Sequence, residues 1–241
     1  MGQATKSMAD NRRRARGART ALLLALLAVA GGGGCLHLEQ SLTLSADGGL
    51  RGELHYSAPL ETLPALTAAQ AAIDRWQGQR QRDRLEQMNS LFNEKLAADH
   101  FSRDGLSLDQ YRQDDRDGRR HVVITFKAQE GRRALDSGRL GDFELLRTAA
   151  GDLTLRLRPQ GDPAPTPLSD ERRRELRALC AGLRLVLRVE GPSPVVATTG
   201  TKTGDRTVEW VFETDKDPAF LERPPAVEAT FAGAGLDAWG R

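Results

Sequence analysis

Strict alternation of apolar and polar residues opens at Leu36 and predicts a strand to Leu44. Leu36, Leu38, Leu42 and Leu44 share one face; His37, Glu39, Ser41 and Thr43 share the other. Ser45-Ala-Asp-Gly-Gly49 reads as a turn, its glycines open to positive φ. Leu50, Leu54 and Tyr56 continue the apolar face opposite Arg51, Glu53 and His55, so the segment is a half-buried hairpin ended by Pro59. The period then changes. Leu66, Ala69, Ile73 and Trp76 share the face of a helix predicted over 63–76. Leu85, Met88, Leu91, Phe92 and Leu96 do the same over 83–98, with the polar run 77–82 as the bend between them.

Period two returns in a second hairpin, 106–113 with 119–128, where Val122, Ile124 and Phe126 form one face and Asp114-Asp-Arg-Asp-Gly118 is the turn. Residues 130–138 read as a short helix or loop. A third hairpin joins 143–147 to 153–158, with Leu153, Leu155 and Leu157 inward. Four prolines within 159–167 mark a linker or loop. Ser169 is an N-cap for a helix to about Ala181, closed by Gly182. Leu183, Leu185, Leu187 and Val189 then alternate as a strand. Residues 195–197 and 207–213 are expected to pair about Thr199-Gly-Thr-Lys-Thr-Gly204, and 226–232 is the last strand candidate. The fold class expected is α+β: antiparallel hairpins forming a curved sheet, with helices packed on one face.

The segment before Leu36 obeys neither period. It carries Lys6, Arg12, Arg13, Arg14, Arg16 and Arg19, then an apolar run from Ala21 to Ala30, then Gly31 to Gly34 and Cys35. About ten apolar residues suit the core of an export signal and fall short of the roughly 20 that a membrane span needs. Positive charge ahead of the run stays cytoplasmic. The segment resembles the lipobox of bacterial lipoproteins, with Gly34 directly before Cys35 and Gly32 where the pattern usually has an aliphatic residue. The resemblance implies cleavage between Gly34 and Cys35, a diacylglyceryl thioether on Cys35, and a further acyl chain on the new amino group. Two or more chains anchor stably at about 0.8 kcal/mol per buried CH₂. An ordinary signal peptide with an unmodified cysteine, and an uncleaved anchor, are the alternatives. A twin-arginine route fits less well, because apolar residues are missing just after Arg13-Arg14.

That division changes the reading of the composition. The chain has 35 basic and 33 acidic residues, a net charge of +2; removing the six basic residues and one acidic residue of 1–34 leaves 29 and 32, a net −3 over 207 residues. A nucleic-acid binder would show a clustered basic excess, so that partner is not expected. Length suffices for a sizeable core, mostly Leu and Val given the few aromatics. With Cys35 lipidated, Cys180 has no disulfide partner, and its helical spacing with Leu176, Leu179 and Leu183 marks it as a small buried thiol. The boundaries expected are a leader over 1–34, a membrane-proximal region over 35–158, a linker over 159–167, a helix-plus-strands region of the same domain over 168–233, and a tail over 234–241.

Candidate chemistry is sparse. His37, His55, His100 and His121 are dispersed, and neither HExxH nor G-x-S-x-G occurs. No catalytic residue, metal ligand or cofactor is therefore assigned. His37 and His55 face each other across the polar side of the first hairpin, where solvated residues are favoured over a weak two-histidine metal site. The acidic turn 114–118 lacks the regular ligands and distal Glu of a calcium loop. Gly34-Cys35 leading into an amphipathic strand, the Ser45–Gly49 turn, the helix after the first hairpin, and Gly204-Asp-Arg-Thr-Val-Glu-Trp210 together resemble the LppM-type lipoprotein domain. The resemblance implies a bacterial envelope lipoprotein, lipid-anchored with its soluble domain outside the cytoplasm, with lipid or glycolipid contact and no catalytic residues. The expected function is non-catalytic binding of lipid. The alternative is a structural or assembly lipoprotein acting through an envelope protein partner.

Overall fold

A computed structural model describes residues 36–63, 92–157, 170–221, 226–233 and 236–239. Leu36 leads into β1 (His37–Leu44), which turns back into β2 (Leu50–Pro59). The turn is closed by Ser45 N–H donating to Gly49 O at 2.9 Å, with Gly48 at φ +89°. Next come α1 (Glu94–His100), β3 (Leu106–Arg116), β4 (Arg119–Ala128), α2 (Gly131–Asp136), β5 (Phe143–Arg147) and β6 (Leu153–Leu157). The chain closes with α3 (Asp170–Leu179), β7 (Arg184–Glu190), β8 (Val195–Thr198), β9 (Thr201–Lys202), β10 (Thr207–Glu213) and β11 (Glu228–Phe231).

The strands form two sheets. The larger has the order β3-β4-β2-β1-β7-β10-β9, the smaller β5-β6-β11-β8. The three predicted hairpins are present, and the second is tighter than expected. Asp117 and Gly118 both take positive φ (52° and 70°), which a two-residue type I′ turn requires, so Asp114, Asp115 and Arg116 belong to β3. Asp115 then grips Arg120 across the hairpin through two bonds of 2.8 Å.

The core lies between the inward faces. Leu42, Leu44, Leu50, Ile124, Phe126, Val189, Val208 and Trp210 of the larger sheet form one hydrophobic cluster with Phe143, Leu145, Leu153, Leu155, Ala229 and Phe231 of the smaller. Ala97 of α1 and Ala134 and Leu135 of α2 enter the same cluster. Among the described residues a second sheet, with short helices beside it, packs against the larger one. The helix expected over 63–76 and most of that over 83–98 lie outside the described residues. The part seen is α1, capped by Asn93, whose Oδ1 accepts from Leu96 N–H at 3.2 Å.

Two pairings differ from expectation. β1 lies parallel to β7, His37 opposite Arg184 through Thr43 opposite Glu190, which joins the 35–158 and 168–233 regions in one sheet. β8 pairs with β11 in the smaller sheet, whereas β10 pairs with β7 and β9 in the larger. The crossing between sheets follows Gly191, whose backbone lies flat on Phe231: a Cβ there would stand 2.0 Å from the ring. Within the expected tail, 234–241, the described residues 236–239 supply core. Leu236 and Trp239 are buried, and the Trp239 indole N–H donates to Ser45 O at 2.7 Å. Arg132 holds the Trp239 carbonyl at 2.8 Å, and Gly131 leaves room for the indole, since a Cβ there would come within 2.5 Å of it.

Candidate functional site

Gly34 and Cys35, the two residues assigned by sequence to cleavage and lipidation, lie outside the described residues. What is described is the strand they lead into. β1 starts at His37 and is paired on both sides, antiparallel to β2 and parallel to β7. The linker over 159–167 also lies outside the described residues.

The outer face of the larger sheet is mostly polar because most apolar residues of its strands point to the core; Val123, Val186 and Val211 face outward, in one row with His55 and Glu39. Its register gathers three of the four histidines. His37 on β1 stands opposite Ser57 on β2, and Ser57 opposite His121 on β4; His55 lies one row further on, opposite Glu39 and Val123. His37 and His55 are therefore diagonal neighbours, and the close pair is a different one. His55 Nε2 lies 3.4 Å from His121 Nδ1, with the rings 5.7 Å apart and inclined by 26°. Sequence reasoning missed this pair because His121 follows 66 residues after His55. The only local signals were that His121 precedes the inward Val122 and that Asp117-Gly118 sets the register.

Burial lowers the basicity of His37, and the Arg119 and Arg184 guanidiniums lower it further. Burial does the same to His121, reinforced by Arg116 and His55. His121 Nε2 is buried without a hydrogen-bond partner among the described residues. Ser57 is held by Arg119, whose Nε and Nη2 donate to its hydroxyl at 3.2 and 3.1 Å. That occupation leaves Ser57 poorly placed as a nucleophile, since an activated serine needs a base as its partner. Further along the face, Arg184 bridges Glu39 at 2.7 Å and Glu213 at 3.1 Å, and Arg188 pairs with Glu209 at 2.6 Å. These cross-strand ion pairs use up much of the charge. His100 sits apart, on α1, with Nε2 3.2 Å from Arg139 O. No group of three or more His, Cys, Asp or Glu side chains among the described residues is arranged to hold a metal ion.

A second feature lies on the core side of the sheet, at the β3 edge. A groove of about 790 Å³ runs between α1 and β3, with Phe92, Ala98 and Tyr111 as its apolar lining and Asn93, Glu94, Lys95 and Gln113 as its polar lining. Phe92 meets Tyr56 edge to face at 5.0 Å. The Tyr56 hydroxyl is buried and without a hydrogen-bond partner among the described residues, and burial raises its pKa well above the ordinary phenol value. Such a lining offers contact area and orientation rather than bond-making chemistry. It is more polar than a pocket for an acyl chain alone, which would be lined predominantly by apolar side chains. Among the described residues most Leu and Val side chains fill the core, whereas Leu96, Val196 and Val211 are exposed.

The class defined is a mostly-β domain of two sheets sharing one core, with short helices at its flank. No protein-family model matches the chain, and no curated protein matches it. Among solved structures, it is similar to the folded domain of Mycobacterium tuberculosis LppM determined by NMR, at 15% identity and a TM-score of 0.40, covering 81% of this chain and 88% of that one. It is also similar to yeast LTA4 hydrolase in complex with bestatin, at 10% identity and a TM-score of 0.31, covering 82% of this chain and 28% of the hydrolase. No described helix is long and apolar enough to cross a membrane.

Proposed function

We propose that this chain is a lipid-anchored bacterial cell-envelope protein whose folded part binds an amphipathic ligand, a lipid or glycolipid, without catalysing a reaction. The observation that carries the reading is the join between the sequence motif and the sheet. Gly34-Cys35 closes an export-signal pattern, and β1 begins two residues later. Two extended residues span only about 7 Å, so an acylated Cys35 would hold the His37 end of the larger sheet against the bilayer surface. The groove lies towards that same end, because Tyr56 beneath Phe92 pairs with Leu38 of β1. Its apolar lining suits hydrocarbon near a headgroup, and Asn93, Glu94, Lys95 and Gln113 suit the headgroup itself.

The experiment is native mass spectrometry of the protein extracted gently from the envelope, alongside the full chain carrying Cys35→Ser. Lipid that stays bound without a covalent link in both, and is lost in Phe92→Glu, supports the groove as the contact surface. Absence of retained lipid in both would overturn lipid binding and favour the alternative, an envelope protein partner.

A further inference from the structure

We propose that His55 and His121 form a two-imidazole site for a zinc ion on the outer face of the larger sheet. Two nitrogens bound to zinc at about 2.0–2.1 Å with a tetrahedral angle between them stand about 3.3–3.4 Å apart. His55 Nε2 and His121 Nδ1 stand 3.4 Å apart. The same distance is long for a direct N–H···N bond, which is best near about 2.9–3.0 Å. Without an ion the two rings make a long, weak hydrogen bond, and the same spacing suits two ligands of one ion.

The scaffold suits the role. The residues sit on the adjacent strands β2 and β4, in a continuous antiparallel register from Leu50 opposite Ala128 to Pro59 opposite Arg119. Neither imidazole is on a loop, so the separation is set by sheet geometry. Water would complete the coordination. The charges around it oppose one another. Arg116 and Arg119 act on His121 against an added cation, and Asp114, directly opposite His121 on β3, acts in favour. The Asp114 carboxylate is only loosely engaged, 3.5 Å from Arg116 Nε. A site of this kind holds its ion with modest affinity and clips β2 to β4. It lies on the opposite face of the sheet from the groove and does not depend on the ligand proposed there.

The test uses the full chain carrying Cys35→Ser, so that this thiol cannot compete, titrated with zinc chloride by calorimetry. The imidazole resonances are followed by NMR in parallel. One zinc per chain is expected, with shifts confined to His55 and His121. His55→Gln and His121→Gln should each weaken binding by at least about tenfold, since losing even an outer partner of a ligand costs about 10–100-fold. His37→Gln, in the same face but outside the pair, should bind as the parent does. Saturable binding that survives both Gln substitutions would overturn the site. So would zinc added to the unsubstituted pair leaving both sets of imidazole resonances unmoved, a readout that does not depend on any variant folding.

Discussion

Trp239 tests how the domain is closed. It is fully buried, 0% exposed, although it stands two residues before the last residue of the sequence. Its ring fills the space that Gly131 leaves beside Leu50, and its N–H satisfies the Ser45 carbonyl of the first hairpin turn. Replacing Trp239 by Ala removes the ring and leaves a cavity, a loss of about 3–5 kcal/mol. It also strands the Ser45 carbonyl, at about 1 kcal/mol or more. Together that is about 4–6 kcal/mol, against a whole-domain stability of about 5–15 kcal/mol. Trp239→Phe keeps most of the apolar area and loses the hydrogen bond, so it should cost about 1–2 kcal/mol. Urea unfolding followed by far-UV circular dichroism measures both. With a slope of about 2 kcal/mol per molar, the Ala midpoint should fall by about 2–3 M. A Trp239→Ala midpoint within about 0.5 M of the parent would refute the role given to this residue.

Other outcomes follow from single contacts. Gly52→Ala places a Cβ 2.2 Å from the Phe126 ring and should destabilise by about 1–3 kcal/mol; Phe126→Leu in the same chain should recover part of the loss, and a neutral Gly52→Ala would contradict the packing. Folding lowers the pKa of His37, His100 and His121 below the ordinary 6.5, with burial the leading cause for each. The unfolded chain therefore binds more protons as pH drops below 6.5, and their contribution, present above that value, is lost on acidification towards the folded pKa values. The melting temperature should fall between pH 7.5 and pH 5, and a rise over that interval would show the sign to be wrong. Burial pushes the Cys180 thiol up to about 11, so iodoacetamide at pH 8 should leave it unlabelled until denaturant is added; rapid labelling of the native chain would contradict its burial.

Much of the larger sheet is legible in sequence because its strands alternate cleanly. Leu42, Leu44, Val122, Ile124 and Phe126 all point inward as their period requires, and Asp117-Gly118 encodes its own turn. Period two identifies a strand and its buried face; it does not name the partner. Hence β8 and β10 read as a pair and belong to different sheets, and the parallel match of β1 with β7, nearly 150 residues apart in sequence, left no local trace. Trp239 was hidden for a related reason. A lone aromatic near the end of a chain has no periodicity around it, and the glycine that makes its room, Gly131, lies more than 100 residues earlier. The same holds for the outer face. His37 and His55 are near in sequence and read as the pair, yet the sheet register brings His121 to His55 instead.

The join between Cys35 and β1 is the centre of the functional account, and the intact mass of the protein taken from the envelope tests it most directly. The account predicts the mass of residues 35–241 increased by a diacylglyceryl group, with or without a further acyl chain on the amino terminus. An unmodified chain beginning at Cys35, or the full precursor of 241 residues, would contradict it.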